Sequence, residues 1–287
     1  MPSVGDALHD ASRRLAPIAG EDARIEAEVL LAHALSTDRA HVLAALHDDM
    51  PAEAQVTFEA ALARRLAREP LAYIVGHREF YGIDILCEPG ALIPRPETEM
   101  LVDLALDFID ERGDAISIVD VGTGSGAIAV AVAVNRPRVR ILAIEASEDA
   151  LRVAERNIRH HGVVDRVRLQ QADLLAGQGV FDLILANLPY ISSDEWLTLE
   201  PEIREHEPRT SLLGGERGTE VIERLLADAP DHIAPAGMLA AEIGETQGAA
   251  LLEVARRSFP EAQAYVMKDF AGRDRVLVIR AERGRVG

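Results

Sequence analysis

The sequence is poor in the features that mark several classes of protein. Cys87 is the only cysteine in 287 residues, which excludes an internal disulfide and a cysteine-rich zinc site. Cys87 ends a short apolar run, which is typical of a small core residue rather than a nucleophile. No apolar run reaches the roughly 18 residues of a membrane-spanning helix, and the first residues lack the basic and apolar regions of a signal peptide. We therefore expect a cytoplasmic protein that holds no metal.

Positive charge and aromatic residues are also scarce. Lysine and arginine number 30 against 48 acidic residues, which gives a formal net charge of −18, and Lys268 is the only lysine. Binding to a phosphate backbone needs clustered lysine or arginine to release counterions, and the sequence has no basic run. We therefore expect no direct contact with nucleic acid. Because only 4% of the residues are aromatic, the core must be built mainly from Ala, Val, Leu and Ile.

The first part of the chain, residues 1–70, has a helical pattern. Apolar residues recur at helical spacing, for example at Val4, Leu8, Ala11 and Leu15. The part contains no glycine-rich loop and no cluster of catalytic side chains. It predicts a small all-helical domain.

The composition changes over residues 71–90. Short runs of β-branched and aromatic residues at 73–76, 79–82 and 83–86 are each bounded by glycine or a charged residue. Such runs are typical of short strands. We therefore expect a β-hairpin linker between two domains.

The remainder, residues 91–287, alternates strand-like and helix-like segments from residue 116 onward. This alternation predicts an α/β fold with a mostly parallel sheet covered by helices. Two strand-like segments end the chain without a helix between them, which predicts one antiparallel strand.

A glycine-rich segment, Gly-Thr-Gly-Ser-Gly at 122–126, directly follows the first of these strands and precedes a helix. Glycine allows a ligand to approach the backbone closely, and the helix N-terminus offers N–H groups to it. Glu145 ends the next strand, where a carboxylate can accept hydrogen bonds from both hydroxyls of a ribose. These features fit a nicotinamide dinucleotide and S-adenosylmethionine (AdoMet) equally well. Asp173 and Leu174 favour AdoMet, because they could bind the amino group and cover the ring of its adenine.

The fourth strand ends in Asn187, Leu188, Pro189 and Tyr190, where open α/β sheets bind their ligands. An amide or aromatic amino nitrogen is a poor nucleophile that depends on orientation. The Asn187 side-chain oxygen and the Leu188 carbonyl can accept its two N–H bonds, while Pro189 stiffens the loop and Tyr190 can pack against the planar group. The tetrapeptide therefore predicts methylation of such a nitrogen.

With these motifs in view, the chain resembles the HemK-type methyltransferases that modify a glutamine of peptide chain release factors. The resemblance covers nearly the whole chain, and its most specific segment is Ile-Pro-Arg-Pro-Glu-Thr-Glu at 93–99. One departure is Leu188, where the family usually carries a proline. The backbone carbonyl survives this change, so we expect catalysis to survive as well.

The resemblance implies a class I AdoMet-dependent methyltransferase fold, which is a Rossmann-like sheet with a C-terminal antiparallel strand, preceded by the helical domain and the hairpin. It implies methyl transfer from AdoMet to the side-chain N5 of the glutamine in a Gly-Gly-Gln motif, which leaves S-adenosylhomocysteine and modulates translation termination. It further implies that the helical domain helps to recognise the release factor, and we expect a monomer. The implied cofactor-binding residues are Asp120, Gly122, Thr123, Gly124, Ser125, Gly126, Glu145, Asp173, Leu174 and Asn187. The implied substrate-binding residues are Arg95, Pro96, Glu97, Asn187, Leu188, Pro189 and Tyr190, of which the last four are also implied to be catalytic.

Three other functions stay open at this point. An adenine N6-methyltransferase of RNA or DNA can carry the same Asn-Leu-Pro-Tyr tetrapeptide, although the acidic net charge argues against it. A dinucleotide-dependent oxidoreductase would use Gly122, Gly124 and Ala127 as its fingerprint, but it leaves the tetrapeptide unexplained. A non-catalytic AdoMet-sensing protein would have no need for an intact Asn187.

Overall fold

The computed structural model describes residues 2–282. Its helices are α1 (Val4–Ala19), α2 (Ala23–Leu35), α3 (Arg39–Ala44), α4 (Ala52–Leu66), α5 (Leu71–Val75), α6 (Glu99–Arg112), α7 (Ala127–Asn135), α8 (Glu148–His160), α9 (Ser193–Trp196), α10 (Pro201–His206), α11 (Glu220–Asp228) and α12 (Gly248–Ser258). Its strands are β1 (His77–Phe80), β2 (Ile83–Leu86), β3 (Ser117–Val121), β4 (Arg140–Glu145), β5 (Val167–Gln171), β6 (Phe181–Ala186), β7 (Ile191–Ser192), β8 (Leu213–Gly215), β9 (Ile233–Glu242), β10 (Gln263–Lys268) and β11 (Asp274–Arg280). The chain forms two compact units, one of residues up to His77 together with Glu200–His206, and one of the remaining residues.

The first unit is helical, as its apolar spacing predicts. Helix α1 begins with a capping box: the Ser3 hydroxyl accepts from the Asp6 N–H (3.0 Å), and the Asp6 carboxylate accepts from the Ser3 N–H (3.1 Å). The four apolar residues that predict α1 are all buried in the core of this unit.

Helix α10 belongs to this first unit although it lies far along the chain. The side chain of Arg65 is buried and donates to the carboxylates of Glu26 (2.8 Å) and Glu202 (3.3 Å). A buried guanidinium needs such partners, because an unpaired charge in the interior is costly. Helical periodicity in residues 1–70 gave no indication that Glu202 would be one of them.

The strand predicted at residues 73–76 is wrong, since this segment lies in helix α5. Pro70 precedes the helix with a φ of −56°, and Gly76 ends it in the left-handed region with a φ of 88°. Ile74 is buried in the core of the helical unit. Burial there outweighs the strand preference of an aromatic and β-branched run.

The second unit is built on a seven-stranded sheet in the order β10-β11-β9-β6-β3-β4-β5. Strand β11 pairs antiparallel with both β9 and β10, and the other neighbouring strands pair in parallel. The predicted fold class is therefore confirmed. Helices α6 and α7 contribute to the core on one face of the sheet, and α11 and α12 to the core on the other. Burial on both faces explains why the central strands β3, β4 and β6 are nearly continuous apolar runs, whereas the edge strand β5 is more polar.

The predicted hairpin is confirmed as β1 and β2. Tyr81 and Gly82 connect the two strands with φ values of 51° and 73°, which is the left-handed backbone that a two-residue hairpin turn requires. Phe80 and Ile85 are buried in the core of the second unit. The hairpin therefore packs as part of that unit.

The order of the strands places two loops side by side. Strand β3 lies between β4 and β6. The chain adds β4 and β5 on one side of β3 and then crosses to add β6 on the other side. At such a switch point the carboxyl ends of neighbouring strands leave a crevice in which ligands bind. The glycine loop (residues 122–126) follows β3, and the segment predicted to be catalytic (residues 187–190), which is called the catalytic loop below, follows β6. Over residues 2–282, no helix is both long and apolar enough to cross a membrane.

Candidate active site

A cavity of about 580 Å³ opens where β3, β4, β5 and β6 end. Eleven of the predicted site residues line it: Arg95, Gly122, Thr123, Gly124, Ser125, Glu145, Asp173, Leu174, Asn187, Leu188 and Pro189. The structure therefore brings the predicted cofactor residues and the predicted catalytic residues to one place.

The glycine loop presents its backbone to this cavity. Gly122 and Gly124 have φ values of 71° and 57°, which side-chain-bearing residues rarely adopt. The N–H groups of Gly122 and Thr123 donate to the Ile144 carbonyl at 2.8 and 2.9 Å and so fix the loop against β4. A Cβ at position 122 would lie 2.7 Å from Leu188 Cδ2, so glycine allows the two loops to approach closely.

Glu145 lies in the same cavity, and both of its carboxylate oxygens accept a backbone N–H. The donors are Gly124 (3.0 Å) and Ser147 (2.9 Å). A carboxylate has about four acceptor positions, so Glu145 keeps the capacity to accept further bonds from hydroxyl groups. The arrangement suits a ribose.

Asp173 and Leu174 lie after β5 on the far side of the cavity. The exposed Asp173 carboxylate accepts from Arg224 Nη2 at 2.6 Å. Leu174 is buried and has a φ of 52°, which is unusual for a branched side chain. This backbone directs an apolar side chain to the cavity wall, where it can cover a flat ring.

The catalytic loop is fixed by side chains from other elements. The Asn187 side-chain N–H donates to Thr98 Oγ1 (2.9 Å), and the Tyr190 hydroxyl donates to Glu242 Oε1 (3.0 Å). Burial and the nearby Glu242 carboxylate both raise the pKa of Tyr190 well above its usual range. Tyr190 therefore stays a neutral hydrogen-bond donor.

Five other predicted site residues lie outside the lining of this cavity: Pro96, Glu97, Asp120, Gly126 and Tyr190. The Tyr190 hydroxyl donates to the buried Glu242 carboxylate, which directs it away from the cavity lining. Pro96 and Glu97 are exposed to solvent, whereas Arg95 and Thr98 on either side of them line the cavity.

Asp120 supports the glycine loop and does not line the cavity. It is fully buried, and its carboxylate accepts from the Thr123 hydroxyl at 2.5 Å. Burial raises the pKa of Asp120 to about 7, an effect that the Thr123 hydrogen bond partly offsets. Gly126 is buried as well, and a Cβ there would lie 3.3 Å from Ala154 Cβ, so this glycine permits close packing against α8.

Three residues that support the site received no individual role from the sequence: Thr98, Glu207 and Glu242. Glu207 is 5% exposed and accepts from Arg95 Nη2 (2.5 Å) and from the Ile93 N–H (3.2 Å), so it holds Arg95 at the cavity. Glu242 ends an apolar strand and is almost fully buried, which raises its pKa. In the sequence, the one sign of a supporting role for Glu242 is its position at the end of an apolar strand. A carboxylate that is buried there needs hydrogen-bond partners.

Comparison with known proteins agrees with this geometry. The PrmC N-terminal domain profile matches residues 6–76, and the methyltransferase small domain profile matches residues 99–200. The release factor glutamine methyltransferase of Moorella thermoacetica is 42% identical over 96% of this chain and 98% of its own length. The corresponding protein of Cereibacter sphaeroides is 40% identical over 96% of this chain and 98% of its own length.

Solved structures share the fold. A methyltransferase from Pyrococcus furiosus superposes with a TM-score of 0.52 at 21% identity, covering 78% of this chain and 99% of that one. Together with the identity to its relatives over nearly the whole length, the geometry leads to one assignment: the chain belongs to the release factor glutamine methyltransferase family.

Proposed function

We propose that this protein transfers a methyl group from AdoMet to the side-chain N5 of the glutamine in the Gly-Gly-Gln motif of peptide chain release factors. The observation that carries the proposal is the position of Asn187. It lies on the wall of the glycine-lined cavity with its side-chain N–H bound to Thr98. Its side-chain oxygen is thereby available to accept a hydrogen bond from a substrate amide.

The residues of the cavity fit AdoMet. Gly122 and Gly124 form a cradle that a Cβ would disturb, Glu145 retains acceptor positions for the ribose hydroxyls, and Leu174 offers an apolar surface to the adenine. When bound, AdoMet supplies a methyl group on a positively charged sulfur. Because that charge is lost during transfer, the site has to hold the sulfonium without stabilising it too strongly.

The chain's own contribution to the reaction is orientation. A glutamine amide nitrogen has a delocalised lone pair, so it reacts only when it is turned toward the methyl group. Asn187 Oδ1 and the Leu188 carbonyl are the two acceptors that can hold its N–H bonds. The nitrogen then loses a proton to water after methylation, and no histidine or lysine base is required.

We also propose that the helical unit, in which residues 6–76 match the PrmC N-terminal domain profile, helps to recognise the release factor, and that the enzyme acts as a monomer. The net charge of −18 argues against a nucleic-acid substrate. Light scattering of the purified protein tests the oligomeric state. A stable dimer would overturn this part of the proposal alone.

Mass spectrometry of a purified release factor incubated with the enzyme and AdoMet tests the activity. We expect one added methyl group on the Gly-Gly-Gln glutamine, and none on a control release factor in which that glutamine is replaced by alanine. An adenine-containing RNA serves as the competing substrate. Methylated RNA together with an unmodified release factor would overturn the proposal in favour of an adenine methyltransferase.

A further inference from the structure

A continuous chain of hydrogen bonds runs from the catalytic loop into the interior of the second unit. The Asn187 side-chain N–H donates to Thr98 Oγ1 (2.9 Å), and the Thr98 hydroxyl donates to Glu242 Oε2 (2.6 Å). The other carboxylate oxygen accepts from the Tyr190 hydroxyl (3.0 Å). Thr98 is 4% exposed and Glu242 is 1% exposed, so the bond between these two residues is shielded from bulk water.

In this series of hydrogen bonds, the direction of the bond between Thr98 and Glu242 determines the direction of the bond between Asn187 and Thr98. The Thr98 hydroxyl has a single proton, which it donates to Glu242 Oε2. Thr98 can then only accept from Asn187, and the group that faces it has to be the NH₂ end of the side-chain amide. We propose that Thr98 and Glu242 are positioning residues that determine which end of the Asn187 amide is presented to the substrate.

This orientation matters for the proposed function, on which the inference rests. The nitrogen to be methylated carries two N–H donors, so it requires an acceptor from Asn187. In the flipped orientation, Asn187 would present its own N–H groups, and two donors would face each other. The two ends of an amide are nearly equal in size, so packing alone does not distinguish the orientations, whereas a hydrogen bond of defined direction does.

A second connection holds the far end of the catalytic loop to the same strand end. Gln247 Nε2 donates to the Tyr190 carbonyl (2.8 Å), and Gln247 Oε1 accepts from the Gly244 N–H (2.9 Å). The loop is thus attached at Asn187 and at Tyr190 to the end of β9 and the turn that follows it. Thr98 and Glu242 therefore act on an amide whose backbone is already held in place.

Substitution of Thr98 tests the inference. Thr98→Val retains the shape of the side chain and removes the hydroxyl, whereas Thr98→Ser retains the hydroxyl. We expect Thr98→Val to lower kcat by about 10- to 100-fold, the cost of a misplaced orienting group, with the KM for AdoMet unchanged. We expect Thr98→Ser to recover most of the lost kcat. Equal kcat values for the Val variant and the wild type would overturn the inference.

A matched control separates orientation from general loss of stability. Thr219 is also buried (6% exposed), and its hydroxyl donates to the Glu223 carboxylate at 2.7 Å, yet it does not line the cavity. Thr219→Val removes a comparable bond, so thermal unfolding of the two Val variants shows what such a loss costs in stability. We expect kcat to fall only in Thr98→Val. An equal fall in both variants would contradict a positioning role.

A double-mutant cycle then decides whether Thr98 acts through Asn187. If it does, Thr98→Val should have no further effect on kcat in an Asn187→Ala background, because no amide remains to be oriented. Multiplicative losses would overturn the inference and indicate a separate structural role. Wild-type methyl transfer to the release factor is the reference for every comparison. Its absence would refute the proposed function, whereas normal transfer with an unaffected Thr98→Val variant would refute only the positioning role.

Discussion

The glycine loop and the catalytic loop lie side by side at one edge of the sheet, but they are held in different ways. The glycine loop is held mainly by its own backbone, through the N–H groups of Gly122 and Thr123 and the Ile144 carbonyl of the neighbouring strand. The catalytic loop is held by side chains, with Asn187 bound to a residue 89 positions away and Tyr190 bound to one 52 positions away.

The two ways of holding a loop differ in how specifically the loop can recognise a ligand. A loop that is held mainly through its backbone groups depends little on its own side chains, so the same pattern serves nicotinamide dinucleotides and AdoMet. A side-chain-held loop sets the direction of an individual donor or acceptor, which is what discrimination between substrate groups requires. If the comparison is correct, changes in the catalytic loop should affect turnover, and changes in the glycine loop should affect stability and cofactor affinity.

The largest effect is expected from Asn187→Ala. We expect kcat to fall by on the order of 10² to 10³, as when one oriented catalytic hydrogen bond is removed, while AdoMet affinity measured by calorimetry changes little. Asn135→Ala is a suitable control, because that exposed side chain donates to the Ala131 carbonyl at the end of α7 and lies outside the cavity lining. A normal kcat in the Asn187 variant would break the comparison.

The next effect concerns Asp120, whose buried carboxylate accepts a hydrogen bond from the Thr123 hydroxyl of the glycine loop. Its pKa rises from 3.8 to about 7 in the folded protein, so folding takes up a proton between these two values. Its contribution to stability is fully present below about pH 4 and is lost as the pH rises through about 7. We expect Asp120→Asn to remove this decline, so that urea unfolding of the variant is less dependent on pH. Parallel curves for variant and wild type would show that the carboxyl titrates normally.

A smaller effect is expected from alanine at Gly122 and at Gly124, the two glycines of the loop that line the cavity. Both positions have positive φ, and alanine there costs roughly 1–2 kcal/mol of unfolding free energy. At Gly122 the new Cβ would also lie 2.7 Å from Leu188 Cδ2, whereas at Gly124 the nearest atom is 4.0 Å away. We therefore expect Gly122→Ala to reduce unfolding free energy and AdoMet affinity more than its matched control Gly124→Ala. Equal losses would mean that Leu188 moves aside freely.

The smallest effect is expected from Leu188→Pro, which restores the usual residue of the family. The carbonyl that accepts the substrate N–H is retained, and proline favours an extended backbone at Asn187. We expect kcat to stay within about threefold of the wild type, because the change alters packing against Gly122 and leaves both acceptors in place. A loss as large as that of Asn187→Ala would show that the side chain at 188 takes part in orientation.

Much of the fold and part of the site follow from local patterns. The order of strands and helices, the glycine loop and the position of Asn187 after the fourth parallel strand all follow from periodicity and short motifs. The strand expected at 73–76 failed, because Ile74 is buried among helices and tertiary packing overrode the local preference. Helix α10 in the helical unit was not predicted either, since ion pairs such as Arg65 to Glu202 join distant residues.

The sequence by itself determined that the glycine-rich segment and the Asn-Leu-Pro-Tyr tetrapeptide each follow a parallel strand, because the succession of strands and loops along the chain depends on patterns within short segments. Only the tertiary structure decided how each side chain is directed. It placed the Tyr190 hydroxyl on Glu242 and the Asn187 amide on Thr98. The physical reason is that a hydrogen bond has a direction, and that direction is set by partners that the chain brings together only on folding.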